Sequence, residues 1–370
     1  MNRDFDLVLQ GATGFTGRLA TEELSRLAPP KLRWAVAGRN PERVQAMAEQ
    51  YHVPWVVADG LNMEDVDQLA SRSRVVLSCS GPFSKYGTLL VRSCVRNRTH
   101  YADLTGELPW VHFLIQKFHK RATDESTTLI PCSGFDSVPT DLAVHQLVRS
   151  IQADGGNPGK LTGIYRLRGG FNGGTLASGI HLYETWPEVM LPVKGEVFHA
   201  PALPCWAAPF LMAPVNEWVV KRSAELLEEE DAGYGHEFQY QEFMGASSKL
   251  KAHTLSLTLK TMQGLLRRSW GRTLLRKLGP SPGKGPSEKS RKNGFAKLDL
   301  LDANQKKAGT LKMAGDPGNG ITVRCLVQTG LSLAAGEARR GGILTPAAAL
   351  GDALILRLDA QGDSFNRSSP

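Results

Sequence analysis

A glycine-rich turn, Gly11-Ala12-Thr13-Gly14-Phe15-Thr16-Gly17, follows a short apolar run at residues 5–10 and opens a stretch of helical spacing at 16–27. Strand, glycine turn and helix in that order are the context in which backbone amides cradle a phosphate. Gly11 permits the tight turn, Gly14 lets the backbone approach a pyrophosphate, and Gly17 allows helix and strand to pack closely. The helix N-terminus adds N–H donors and a partial positive charge. Gly11, Thr13, Gly14, Phe15, Thr16 and Gly17 are therefore assigned to a dinucleotide.

The spacing is GxxGxxG, a variant common in NADP-binding Rossmann domains. Further strands are expected at 32–37, 53–58, 74–79, 99–102 and 127–132, separated by helices at 41–50, 64–70, 87–96 and 108–121. This alternation predicts an α/β fold with a doubly wound parallel sheet over residues 1–150. The end of the second strand selects the nucleotide. An NAD site usually carries an acid there for the ribose 2′-hydroxyl. This chain has Ala37-Gly38-Arg39-Asn40 instead. Arg39 offers a guanidinium fork suited to a 2′-phosphate, so the expected cofactor is NADP(H), with Arg43 one turn further on. Asp59 either contacts adenine or caps the next helix. Ser80, Gly81 and Pro82 follow the fourth strand and are placed beside the nicotinamide ribose.

The chain has 370 residues, which at roughly 100–200 per domain predicts two domains. A break is expected near 150, with a second α+β domain over 151–340 and a C-terminal helix and tail over 341–370 that returns to the first domain. In the second domain 161–168 alternates like a half-exposed strand, and a helix follows Gly173-Gly174-Thr175. Residues 247–278 are basic and roughly helical, and 279–294 form a mobile loop. Strands of an antiparallel sheet are expected at 295–301, 308–313 and 321–333. A last helix runs over 346–358, and a polar tail frays after it.

With 41% apolar and 22% charged residues, the chain is an ordinary globular one. Its five cysteines lack CxxC spacing, which excludes a zinc ribbon and favours reduced thiols. The charged start lacks the apolar core of a secretory signal, and no stretch reaches the roughly 18–20 apolar residues of a spanning helix. A cytoplasmic location, peripheral to a membrane, is expected. The net charge of +8 is concentrated between Lys249 and Lys312.

Several motifs in order carry a resemblance: GATGFTG, AGR at 37–39, SGPFSKYG at 80–87, YADLTGE at 101–107, GFDSVPTDL at 134–142, GGT at 173–175, GKGPSEKSRKNG at 283–294 and GGILTPAAALG at 341–351. Over nearly its whole length the chain resembles the saccharopine dehydrogenase-like oxidoreductases, which include the mycobacterial trans-acting enoyl reductases. The resemblance implies NADPH-dependent reduction of a C=C bond in an acyl or lipid-like, polyketide-derived substrate. Reduction of C=N or C=O in a small metabolite is the rival. A second rival is a non-catalytic membrane or lipid-droplet protein that keeps a nucleotide pocket. A saccharopine-type adduct, with several carboxylates, would require clustered arginines, and Arg166 with Arg168 is the one pair in the right domain.

Hydride transfer asks a protein for orientation, a proton source and exclusion of water. There is no YxxxK pair, metal-ligand spacing or GxSxG elbow. Three catalytic candidates lie at expected strand ends. Tyr86 could donate a proton. Asp103, with Thr105 and Glu107, either orients nicotinamide or substrate or caps a helix. Asp136 sits at the domain boundary, as hinge, site group or both. Thr175 and Ser178 either approach the cleft or serve as helix caps. The stretch 265–278 is basic and amphipathic with Trp270, fit for an anionic membrane or for packing Leu266, Trp270 and Leu274 into its own domain. The expected partners are thus an acyl substrate, a membrane surface or lipid droplet and a second copy in a homodimer. No nucleic-acid module is present.

Overall fold

A computed structural model describes residues 3–170, 172–188, 195–281 and 283–368. The first half alternates strand and helix: β1 (Phe5–Gln10), α1 (Phe15–Leu27), β2 (Trp34–Gly38), α2 (Pro41–Tyr51), β3 (Trp55–Val57), α3 (Met63–Arg72), β4 (Ser73–Ser78), α4 (Phe83–Tyr86), α5 (Thr88–Asn97), β5 (His100–Asp103), α6 (Leu108–Asp124), β6 (Thr128–Ile130) and α7 (Val138–Ala153). The second half continues with β7 (Lys160–Arg168), α8 (Gly173–Thr185), β8 (Phe198–Ala200), β9 (Cys205–Pro209), α9 (Ala213–Glu228), β10 (Gln239–Ala246), α10 (Lys249–Arg267), α11 (Ser269–Leu278) and α12 (Glu288–Lys292). β11 (Phe295–Leu301), β12 (Lys307–Ala314), a π-turn at Pro317–Ile321, α13 (Thr322–Ala334), β13 (Gly342–Ile343), α14 (Pro346–Ala349), α15 (Asp352–Asp359) and β14 (Ser364–Arg367) complete it.

The first sheet has the order β13-β6-β5-β4-β1-β2-β3 and is parallel throughout. Its central strands are covered on both faces, so Leu7, Val8, Leu9, Val75, Val76 and Leu77 are fully buried. The helices begin where the sequence supplies caps. Asn40 accepts from the Arg43 amide at the start of α2, with Pro41 in the first turn, and Asn62 does the same for α3. The second sheet has the order β14-β12-β11-β7-β10-β9-β8, with β7 and β10 parallel and the other pairs antiparallel. One hydrophobic core runs from Leu7 and Leu9 through Val144 and Leu326 to Tyr165 and Leu298, so both sheets share it.

Five expectations change. Residues 321–333 form a helix, not a strand. α13 is buried from Cys325 to Ala334, and its β-branched Val323 and Val327 among apolar neighbours mimic a strand. It packs on β4 and β5 of the first sheet, with Gly330 pressed against Leu77. Residues 322–340, placed by sequence in the second unit, thus serve the first, and β13, in the segment expected to return to the first unit, extends its sheet. The tail is ordered too. β14 pairs with β12, Phe365 fills the space left by Gly309, and Arg367 binds Ser150 and Asp154. The last helix breaks into α14 and α15 at Gly351, which has φ +48°. Finally, β7 is buried through Tyr165 because β10 and β11 flank it, rather than half-exposed.

Candidate active site

The glycine turn sits at the carboxyl edge of the first sheet. Gly11 has φ +79°, and its amide and that of Ala12 donate to the Ala37 carbonyl, which pins the turn to the end of β2. A Cβ on Gly17 would lie 2.1 Å from the Gly11 oxygen and 2.7 Å from that of Ala12, so only glycine lets α1 approach β1. A Cβ on Gly14 would meet only the Gly11 oxygen, at 3.4 Å. Gly14 is the N-cap of α1, has no side-chain cap bond, and is followed by no acid in the first turn. The amides of that turn therefore face open space, as a pyrophosphate requires. Ser80 joins this floor: its Oγ lies 2.3 Å from where a Gly11 Cβ would stand. The residues present fit a dinucleotide.

Arg39 follows β2, is exposed, and has no ion-pair partner among the described residues. It is free for a 2′-phosphate. Asp59 neither caps α3 nor stands free. It accepts from the Leu61 amide and closes a turn, while Asn62 takes the cap.

The loop after β4 is held from below. Glu107, fully buried, accepts from the amides of Phe83 (2.8 Å) and Ser84 (3.0 Å) and from the Ser84 hydroxyl. It caps α4 rather than its own helix, and so fixes Gly81 and Pro82, whose peptide is cis. From the second unit, Ser178 of α8 reaches this loop, its Oγ 3.1 Å from a notional Gly81 Cβ. Thr175 instead bonds the N-cap Asn172.

The three catalytic candidates do not converge. Tyr86 packs on Gly60, just past β3, which is the adenosine half of a doubly wound sheet. Asp103 is sealed in. Its carboxylate accepts from the Tyr101 hydroxyl (2.7 Å), the Thr105 amide (2.9 Å) and the Cys132 amide (3.3 Å). Burial raises it to about 7 despite those bonds. It ties the end of β5 to the loop after β6. Asp136 differs. It lies in that loop, and no described residue hydrogen-bonds its carboxyl. It is recessed but not closed off from solvent, and burial alone pushes it up to about 6.

The Asp136 loop is braced by residues the sequence reading did not assign. Thr322, at the start of α13, accepts from the Phe135 amide at 3.3 Å. Phe135 meets Tyr165, and Tyr165 meets Phe210, with ring centroids 5.4 Å apart in each pair. Behind them the Tyr165 hydroxyl bonds Thr140 (3.0 Å), and the buried Glu242 accepts from Thr140 and Tyr240. A buried side-chain chain, Asn172 to Asn319 to Asp316, fastens the loop before α8. An open cleft of about 770 Å³ between α9 and residues 234–240 meets this region only at Phe210 and Tyr240.

Residues 7–130 match the family model of the saccharopine dehydrogenase NADP-binding domain. A Mycobacterium tuberculosis protein named as a trans-acting enoyl reductase is 36% identical over 98% of this chain and 97% of its own. A trans-acting enoyl reductase of Mycobacterium ulcerans is 31% identical, covering 97% of each chain. The chain belongs to the saccharopine dehydrogenase-like oxidoreductases. It is an NADP-dependent oxidoreductase. Its fold is that of the saccharopine dehydrogenase (L-Glu forming) of Saccharomyces cerevisiae, with a TM-score of 0.58 at 12% identity, covering 98% of this chain and 99% of the other. The homospermidine synthase of Legionella pneumophila is similar in fold, with a TM-score of 0.56 at 11% identity over 99% and 91% of the two chains. In this family member Arg166 and Arg168 stand two residues apart on β7. Arg166 is bound to the buried Asp299 at 2.6 Å, and Arg168 is exposed.

Proposed function

We propose that this oxidoreductase reduces a C=C bond of an acyl or lipid-like substrate, with hydride added to one carbon and a proton to its neighbour. The observation that carries the reading is Asp136: a carboxyl at the edge of the nicotinamide half of the sheet, unpaired and held near neutrality. A carboxylic acid in that state can deliver a proton at ordinary pH. Bound NADPH supplies the hydride. Gly81 and Pro82 position it, the amides at Gly14 to Gly17 hold its phosphates, and Arg39 reads its 2′-phosphate. The aromatic row Phe135, Tyr165 and Phe210 packs behind the loop that carries the proton donor. The relatives' names support a C=C substrate. The commitment of Arg166 to Asp299 argues against a polycarboxylate adduct. Turnover of NADPH with enoyl thioesters, compared with ketones and imines, tests this. Turnover restricted to ketones or imines would remove the C=C assignment.

A second feature bears on where the enzyme works. From residue 249 to 278 there is no acid and there are eight lysines and arginines. Arg272 and Arg276 pair with Glu184. On the outer side Leu257 is 66%, Trp270 56% and Leu278 77% exposed, while Leu266 packs inward. No helix among the described residues is long and apolar enough to cross a membrane. We infer that this face rests on an anionic lipid surface, where a lipid-like substrate resides. Co-sedimentation with anionic vesicles, weakened by Trp270→Ser with Leu278→Ser, is the expected result. No sedimentation with anionic vesicles would contradict it.

A further inference from the structure

The segment at 283–294, singled out in sequence as GKGPSEKSRKNG, lies not at a free edge but on the glycine turn. Three contacts place it there. Gly285 is flat against Phe15, the first residue of α1, and a Cβ on Gly285 would stand 2.3 Å from that ring. Arg18 donates to Thr13 within the turn (2.9 Å) and to Gly283 in the segment (3.3 Å), so one side chain ties the two together. The Arg291 guanidinium stands over the Phe15 ring, 5.7 Å from its centroid. From the other side the segment is fixed to the second unit, through the Gly173 amide on the Lys284 carbonyl (3.0 Å) and Gly170 against Pro286.

The electrostatics of this place are one-sided. The amides of the first turn of α1 point their positive ends here, with no acid among them. Arg18 binds only carbonyl oxygens, and the Arg291 hydrogen bond goes to the Pro286 carbonyl, at 2.9 Å. The acid nearest in sequence, Glu288, is joined to Lys292 at 2.7 Å. Exposed Arg18, half-covered Arg291 and a helix N-terminus gather here, and Glu288, the acid that feels the Arg291 charge, is already paired with Lys292, so a bound anion relieves the remaining repulsion.

We propose that residues 283–291 are the second half of the cofactor's phosphate site, with Arg291 the cation that faces the pyrophosphate. The glycine turn supplies the amides, and the second unit closes over them with a charge. This distinguishes Arg291 from Arg39: Arg39 separates NADPH from NADH, whereas Arg291 serves both. The assignment rests on the nucleotide site and not on which bond the enzyme reduces.

The test is equilibrium binding of NADPH and NADH to the full chain without substrate, followed by fluorescence. Arg291→Ala is expected to weaken both cofactors by roughly ten- to hundredfold, the worth of one charge-assisted hydrogen bond, with Arg291→Lys recovering part. Gly285→Val, which pushes the segment off Phe15, is expected to weaken both as well. Thermal melting of the apo variants shows that each is folded. In the unmodified protein, NADPH is expected to slow tryptic cleavage after Lys284, Lys289 and Arg291. Unchanged affinity for both cofactors in Arg291→Ala would overturn the proposal. So would a loss confined to NADPH, since Arg291 would then read the 2′-phosphate. Because no substrate is present, failure of enoyl turnover would leave this result untouched.

Discussion

The three glycines of the turn look equivalent in sequence, but the structure separates their roles, and two alanine variants expose the difference. At Gly17 a methyl would overlap the Gly11 carbonyl at 2.1 Å, and an ordinary carbon–oxygen contact needs about 1 Å more. The obstacle is backbone, so α1 has to move off β1. Overpacking of this kind costs about 1–3 kcal/mol. At about 2–4 °C per kcal/mol, the apo melting temperature of Gly17→Ala should fall by several degrees. At Gly14 the same methyl meets nothing closer than 3.4 Å, and the backbone (φ −71°, ψ 170°) suits any residue. Apo Gly14→Ala should melt with the unmodified protein, within about a degree. Its methyl, however, faces the place where a phosphate must come close. NADPH affinity should therefore fall by about tenfold or more, equivalent to about 1.4 kcal/mol. Apo melting curves and NADPH titrations of both variants are sufficient. If Gly14→Ala destabilises the apo protein while Gly17→Ala does not, or if Gly14→Ala binds NADPH normally, the reading of the turn is wrong.

Arg39→Ala should weaken NADPH by roughly ten- to hundredfold and leave NADH nearly unchanged, since one charge-assisted contact is lost; equal weakening of both would refute the 2′-phosphate role. Asp136→Asn should keep NADPH binding but lower kcat by about 10²–10⁴. An acid raised to about 6 works only while protonated, so activity of the unmodified enzyme should fall as pH rises through about 6, and this limb should vanish in the variant. An unaltered pH profile in Asp136→Asn would remove the residue from the chemistry. Stability should also depend on pH. Burial holds Asp103, Asp141 and Glu242 at about 7, so the folded state keeps protons that an unfolded chain releases near pH 4. These three groups contribute stability that is lost between about pH 4 and about pH 7, while His145, which burial holds down to about 4, contributes in the opposite sense up to about pH 6.5. The carboxyl contribution is therefore read by difference: the urea midpoint at about pH 8, relative to that at about pH 5, should be higher in Asp141→Asn than in the unmodified protein. An identical pH dependence in the two would contradict this environment.

The nucleotide half was legible because its signals are local. Asn40 and Asn62 cap helices where they stand, apolar runs mark buried strands, and the glycine turn lies between a strand and a helix. What escaped was non-local. α13 is buried among elements far from it in sequence, and the polar residues that mark its period, Arg324, Gln328 and Ser332, are outnumbered by apolar neighbours that read as a strand. β13 and β14 have two and four residues, too few for a pattern, and exist because another strand waits for them. At the site, Gly11 to Gly17 and Ser80 are brought together as the sequence suggested. Glu107 proved to cap α4 from a distance, and Asp103 to be enclosed, because the sequence does not show which donors fold against a carboxylate. Ser178 facing Gly81 and Arg291 over Phe15 are contacts between units, and Thr322 bracing Phe135 joins residues 187 apart in sequence; none leaves a trace in local spacing.

The central claim is that the chain transfers hydride from NADPH to a C=C bond, with Asp136 returning the proton. The most direct measurement gives the enzyme an enoyl thioester and NADPH deuterated at the transferring carbon, and analyses the product by mass spectrometry. The account predicts a saturated thioester bearing one deuterium, formed by the native enzyme and nearly abolished in Asp136→Asn. Recovery of the enoyl thioester unchanged, under conditions where NADPH binding is verified, would contradict it.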